Sequence, residues 1–111
     1  MDSKWGYRMT QKAGADLDDI VGYLTVELSN PAAASDFVYK LQDSIEKIRS
    51  FPESSPLVVN DFMPDTKVRK KSVGNYIVYY LPDDAEKMIF ILRIIHSRRN
   101  MDEILRELHM L

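Results

Sequence analysis

A chain of 111 residues, 45% of them hydrophobic, has the apolar material for one core and too little length for two, so a single domain over 1–111 is expected. It has no cysteine, which excludes disulfides and thiolate zinc sites, and no stretch approaching the roughly eighteen apolar residues of a membrane span, so a cytoplasmic protein with no membrane partner is expected. The net charge of −2 hides an asymmetry, since residues 1–66 hold six Lys/Arg against eleven Asp/Glu whereas residues 67–106 hold nine against five.

The chain opens on an alternation of Trp5, Tyr7 and Met9 with Lys4, Gly6 and Arg8, and this period of two predicts a first strand. Its N-terminus, "MDSKWGYRM", lacks the apolar core of a secretory signal. Thr10 is placed to cap a helix whose apolar positions Ala13, Leu17, Ile20, Leu24 and Leu28 recur every three or four residues. In "SNPAAASDF" Asn30 is a second N-cap, and Pro31 takes the first helical position, where its missing N–H costs nothing. Ala34, Phe37, Leu41, Ile45 and Ile48 then carry one apolar stripe on toward Phe51. Two helices joined by two or three residues predict an antiparallel hairpin. Pro52 stops the second helix, and a polar loop through "NDFMPD" follows.

Three consecutive strands come next. "TKVRKKS" carries Val68 as its single apolar residue, while "NYIVYYL" and "KMIFILRIIH" are rich in β-branched and aromatic types. "VGNY", with Gly74 free to take positive φ, and "LPDDAEK" supply the turns of a meander. Asn100 with Glu103 three residues on resembles a capping box ahead of Met101, Ile104, Leu105 and Leu108, predicting a short C-terminal helix. The fold class is therefore α+β in the order β-α-α-β-β-β-α: an N-terminal strand, an antiparallel helical hairpin, a three-stranded antiparallel meander and a short C-terminal helix.

Charge inside the last strand raises the first functional question. If Ile89, Ile91 and Ile95 share one side, Arg93 shares it with them, while Phe90, Leu92, Ile94 and His96 share the other. A guanidinium stays charged at ordinary pH, so Arg93 either meets a helix acid such as Asp16 or Asp19 or reaches the surface to bind an anion. His96 can serve as a general acid or base near neutrality, or simply end the strand on a carbonyl hydrogen bond. In "KVRKK", alternation sends Lys67, Arg69 and Lys71 to one face, an arrangement that suits a phosphate backbone and equally a protected sheet edge. Tyr76, Tyr79 and Tyr80 can stack on bases or fill the sheet. His96 and His109 are too far apart in sequence for a metal pair, and no glycine-rich phosphate loop or Ser/His/Asp set is present, so neither metal nor cofactor is expected.

The segments "AGADLDDIVGYL", "NPAAASDFVYKLQDSIEKIRSFPESSPLV", "VGNYIVYYL" and "ILRIIHSRRN" together resemble the RelE/ParE toxins of bacterial type II toxin–antitoxin systems. The resemblance implies a helical hairpin on a curved antiparallel sheet, a cognate antitoxin as partner in a toxin–antitoxin hetero-oligomer, and a working surface of Lys67, Arg69, Arg93, His96, Arg98 and Arg99. Of the two branches, RelE-like toxins cleave messenger RNA on the ribosome, without a metal, by activating a ribose 2′-hydroxyl against the adjacent phosphate. Lys67, Arg69 and Arg98 match cationic positions of that branch, and His96 would be its catalytic group here. However, Ile77 stands where RelE-like proteins carry an arginine, and Ile104 falls on or near their C-terminal tyrosine. The ParE-like branch, whose members poison DNA gyrase without a hydrolytic site, is matched better through "RIIHSRRN" and the long hairpin. A degenerate member that binds its partner without toxicity is the remaining alternative.

Overall fold

The computed structural model describes residues 4–58, 65–99 and 101–109. Strand β1 (Gly6–Met9) leads into helix α1 (Gln11–Gly22), a π-helical turn (Tyr23–Glu27) and helix α2 (Pro31–Ser50). Strands β2 (Arg69–Val73), β3 (Tyr76–Asp83) and β4 (Met88–His96) follow, and helix α3 (Met101–His109) closes the order that the sequence pattern predicts. The expected Asn100 cap and the loop over 60–64 lie outside the described residues.

Both helix starts form as their local chemistry requires. The Thr10 hydroxyl oxygen accepts from the Ala13 N–H at 3.1 Å, and the Asn30 side-chain oxygen accepts from the Ala33 N–H at 3.1 Å. On α2 the whole expected stripe is buried, with Ile48 fully enclosed and Leu41 and Ile45 nearly so. The stripe on α1 departs from expectation at its end. After Gly22 the backbone widens into the π-helical turn, closed by the Leu28 N–H on the Tyr23 carbonyl at 3.0 Å. A wider turn holds more residues per revolution, so the 3.6 phase is lost and Leu28 faces outward with 51% of its surface exposed.

The sheet order is β1-β4-β3-β2, with β2, β3 and β4 forming the antiparallel meander and β1 pairing parallel to β4. Gly74, at φ +60°, makes the β2–β3 turn. β3 runs through Pro82 to Asp83, further than the turn signal in "LPDDAEK" implies, because β2 pairs no further than Tyr80 and a missing N–H there costs no ladder bond. One face of the sheet packs Val78, Tyr80, Ile89, Ile91 and Ile94 against the helical hairpin; the other packs Tyr79, Leu92 and Ile95 under Ile104 and Leu108 of α3.

Simple alternation along β4 therefore fails midway, since Ile94 joins Ile89 and Ile91 while Ile95 lies on the opposite face. The cause is a β-bulge. Tyr79 stands opposite Arg93 and Tyr80 opposite Ile91, which leaves Leu92 as an extra residue that shifts the phase by one.

Thr10 ties the helix start to that bulge, because its hydroxyl also donates to the Leu92 carbonyl at 2.9 Å. Thr10→Val removes the cap and this second bond while keeping the side-chain shape, and is expected to cost about 1–2 kcal/mol. Urea denaturation should show a lower midpoint at an unchanged slope; an unchanged midpoint would mean that neither bond contributes.

Candidate functional site

Strand β1 pairs with β4 only as far as Met9 opposite Ile91, so the upper edge of β4 must find other partners. Thr10 supplies the first of them, its N–H donating to the Ile91 carbonyl at 3.0 Å and its hydroxyl to that of Leu92. Asp16, on α1, supplies the next by accepting the Ile94 N–H at 2.9 Å. The same carboxylate receives Arg93 in a two-pronged pair, Nε to Oδ2 at 2.8 Å and Nη2 to Oδ1 at 3.0 Å. The remaining prong, Nη1, donates to Glu107 of α3, which Lys12 also approaches at 3.5 Å. The Arg93 side chain is 9% exposed, and its hydrogen bonds to Asp16, then those to Glu107, raise its pKa above the ordinary arginine value against the opposing effect of burial. Of the two roles open to Arg93 in the sequence, the structure builds the ion pair, with Asp16 rather than Asp19.

Beyond Arg93 the strand ends at His96, half-buried, with its ring edge-on to Tyr76 at 5.2 Å between centroids. The turn that follows folds back on the histidine: the Arg98 N–H donates to Nδ1 at 3.1 Å and the Arg99 N–H to the His96 carbonyl at 3.0 Å. A neutral imidazole that accepts at Nδ1 carries its proton on Nε2. Arg98 and Arg99 are exposed, and among the described residues no hydrogen bond or ion pair engages either guanidinium.

His96 and Arg99 line an open cleft of about 510 Å³ between this end of the sheet and the π-helical turn. Ile20 and Ile94 floor it, and Tyr23, Leu28, Tyr76 and Asp19 complete its walls and rim. Burial pushes the Tyr76 phenol above its usual range, and the neighbouring Tyr23 adds to the effect. Tyr79 and Tyr80 are fully enclosed instead, with burial raising both phenols, and the Tyr80 hydroxyl donates to the Pro52 carbonyl at 3.1 Å. They fill the core. The sequence reading passes over Tyr23 and assigns Leu28 to the apolar stripe of the first helix, because the π-helical turn that aims both at the cleft has no local signature.

Lys67 and Arg69 stand elsewhere. Arg69 opposes Tyr80, which opposes Ile91 in the middle of β4, whereas Val73 opposes Tyr76, which in turn opposes His96, so the start of β2 lies well down the sheet from the end of β4. The six-residue step from Lys67 to Val73 corresponds to roughly 20 Å of extended chain. Arg69 donates from Nη1 to the Ser55 carbonyl at 2.6 Å and the Glu53 carbonyl at 3.2 Å, fastening the loop after α2. The exposed Lys67 borders a second open cleft of about 640 Å³ that it shares with Trp5, Phe90 and the acids Glu53, Asp83 and Asp84. The predicted set thus divides into a buried Arg93, a pair at the β2 start, and His96 with Arg98 and Arg99 at the β4 end. Among the described residues no three His, Asp or Glu side chains are placed to share a metal ion, and no helix is long and apolar enough to cross a membrane.

Residues 7–101 match the family model described as the ParE toxin of the type II toxin–antitoxin system parDE. Comparison with curated proteins returned no match. Among solved structures, the chromosomal ParDE toxin–antitoxin system from P. aeruginosa aligns with a TM-score of 0.66 at 24% identity, over 86% of this chain and 98% of that one. A chain of the toxin–antitoxin complex RelBE2 from Mycobacterium tuberculosis aligns at 0.61 and 17% identity, over 85% and 99%. The isolated E. coli RelE toxin aligns at 0.58 and 11% identity, over 96% and 99%. At such identities these structural likenesses speak for the fold.

Removing Arg93 leaves the Asp16 carboxylate enclosed without its counter-charge, so Arg93→Leu is expected to cost about 3–5 kcal/mol in urea denaturation. The double variant Arg93→Leu/Asp16→Asn should recover part of that loss, since no charge then stays uncompensated there and the Asn oxygen can still accept the Ile94 N–H. A double variant weaker than the single one would contradict this account.

Proposed function

The chain belongs to the ParE toxin family of type II toxin–antitoxin systems, and from that premise we propose that it arrests growth by inhibiting DNA gyrase and is held inactive by a cognate antitoxin. What carries gyrase over the ribosome is the distance along the sheet that sets Lys67 and Arg69 apart from His96, Arg98 and Arg99. Cleaving a ribose–phosphate bond needs charge donors and a proton-transfer group around one phosphate. Here Lys67 and Arg69 are remote from His96, and Arg69 is spent on loop carbonyls. Ile104, near the position where RelE-like nucleases carry a tyrosine, is fully buried between α3 and the sheet, and Ile77 replaces their arginine. Loss of one transition-state charge donor can cost a factor of about 100–1,000 in rate, and both are missing. Inhibiting a protein target asks only for a binding surface, and exposed Arg98 and Arg99 beside His96 supply one, with Lys67 as a separate contact.

A second reading, ribosome-dependent RNA cleavage, draws on one feature: the His96 ring, its Nδ1 accepting from the Arg98 N–H, set beside Tyr76 and Arg99 in the cleft. Parallel assays separate the two. Purified protein is expected to inhibit supercoiling of relaxed plasmid by gyrase while leaving labelled message intact on programmed ribosomes. Arg98→Ala/Arg99→Ala should abolish both this inhibition and growth arrest while changing stability by no more than about 0.5 kcal/mol, as exposed substitutions do. Cleaved message with normal supercoiling would select the RNase reading with His96 as its catalytic group. Antitoxin binding without any growth arrest would select a non-toxic binding module.

A further inference from the structure

The helical hairpin turns its apolar stripes to the sheet and leaves a second groove between its own two arms. Val21 and Thr25 form one wall, Ser35, Val38 and Gln42 of α2 the other, and the open space between them is about 450 Å³. Tyr39 stands on the rim of the same groove with 72% of its surface exposed. Small side chains on both walls let another helix come close, and a projecting aromatic ring beside a hollow is the arrangement by which helices interlock knob into hole.

Alongside Tyr39, α2 carries a row of charges that reads acid, base, acid, base. Asp36 pairs with Lys40 at 3.0 Å and Asp43 with Lys47 at 3.1 Å, and steps of four and three residues keep all four on one side of the helix. The row sums to zero, so a polyanion or any other partner of one sign meets attraction and repulsion in equal measure. Its own reversed copy does not. Asp36 and Lys40 lie two residues on either side of Val38, so a two-fold axis at Val38 that lays a second α2 antiparallel sets each Asp36 against the partner's Lys40 and each Tyr39 beside the partner's groove. Knob, hollow and both signs on one surface are what a two-fold contact requires, since the patch has to be complementary to itself. At about 1.5 Å per residue the 20 residues of α2 span about 30 Å, and with α1 alongside the face measures roughly 600 Å² per copy, the lower end of the range for a specific interface.

We propose that this face holds a second copy of the chain in a two-fold dimer, α2 antiparallel to α2, with Tyr39 of each copy seated in the other's groove. The contact uses none of His96, Arg98 or Arg99, so the dimer presents the surface at the end of β4 twice. It stands whether or not gyrase is the target.

Sedimentation equilibrium of the purified full chain over a concentration series measures this directly. The mean mass should rise with concentration from that of one chain toward that of two. Tyr39→Asp is expected to weaken association about tenfold or more, the scale of an interface anchor. Phe51→Ser, which removes a 70% exposed ring from a different cleft, should leave association unchanged. Asp36→Lys and Lys40→Asp each set like charges across the axis, and either variant alone should stay monomeric where the wild type is dimeric. Mixed in equal amounts the two should associate again, because the chain with two bases then faces the chain with two acids. Thermal melts establish that each variant keeps its fold. A wild-type chain that stays monomeric throughout overturns the proposal, as does a dimer that survives Tyr39→Asp or the single charge reversals, or a mixture of the two charge variants that fails to associate.

Discussion

A permanently charged guanidinium enclosed in the middle of the central strand has to be balanced, and much of the remaining architecture follows from how. Arg93 draws one carboxylate from α1 and one from α3, so a single side chain holds elements from both ends of the sequence against β4. Asp16 satisfies two demands together, the charge of Arg93 and the Ile94 N–H that β1 is too short to reach. Enclosed ion pairs of this sort add little net stability relative to an apolar core of the same shape, because desolvation offsets the attraction. Their effect is on which elements meet: any packing that separated α1 from β4 would strand the charge.

The parts of the fold legible in the sequence are those whose cause is local. Asn30 and Pro31 start α2 by the chemistry of the helix N-terminus, its apolar stripe is buried position by position, and Gly74 takes the positive φ its turn requires. Arg93 was legible for another reason, since an unpaired interior guanidinium is intolerable and the acids of α1 were the nearest remedy in the helical pattern. The β-bulge at Leu92 and the π-helical turn at Tyr23 were not. Each accommodates one residue more than the regular repeat, and no propensity distinguishes a strand or helix with such an insertion from one without it. The parallel β1–β4 pairing joins segments at opposite ends of the chain and likewise has no nearby signal.

Topology separates cations that the sequence places together in the candidate surface. Charge counting groups the cations of "KVRKK" with those of "HSRRN" because both follow residue 66. In an antiparallel meander, however, the first and third strands run in the same direction. Residues just before β2 and just after β4 must therefore lie at opposite ends of the sheet, whatever their side chains. For Lys67 that separation exceeds the screening length of about 10 Å in physiological salt, so it acts apart from Arg98 and Arg99, whereas Lys71, opposite Val78 and so level with Ile94, stands nearer the β4 end.

Within the patch at the β4 end, α1 divides its acids between two tasks. Asp16 and Asp19 are three residues apart, which brings them to one side of the helix, facing the same cleft. The first is committed to Arg93 and Ile94, and its charge is compensated inside the fold. Among the described residues the second meets no such cation and remains at the rim with Arg99. A cleft whose inner acid is neutralised and whose outer acid is not presents one negative and one positive group around an apolar floor. This is the pattern expected of a surface that reads a polypeptide, because a phosphate backbone has nothing to offer Asp19, whereas a protein segment can meet Arg99 with a carboxylate, Asp19 with a donor and the floor with a side chain.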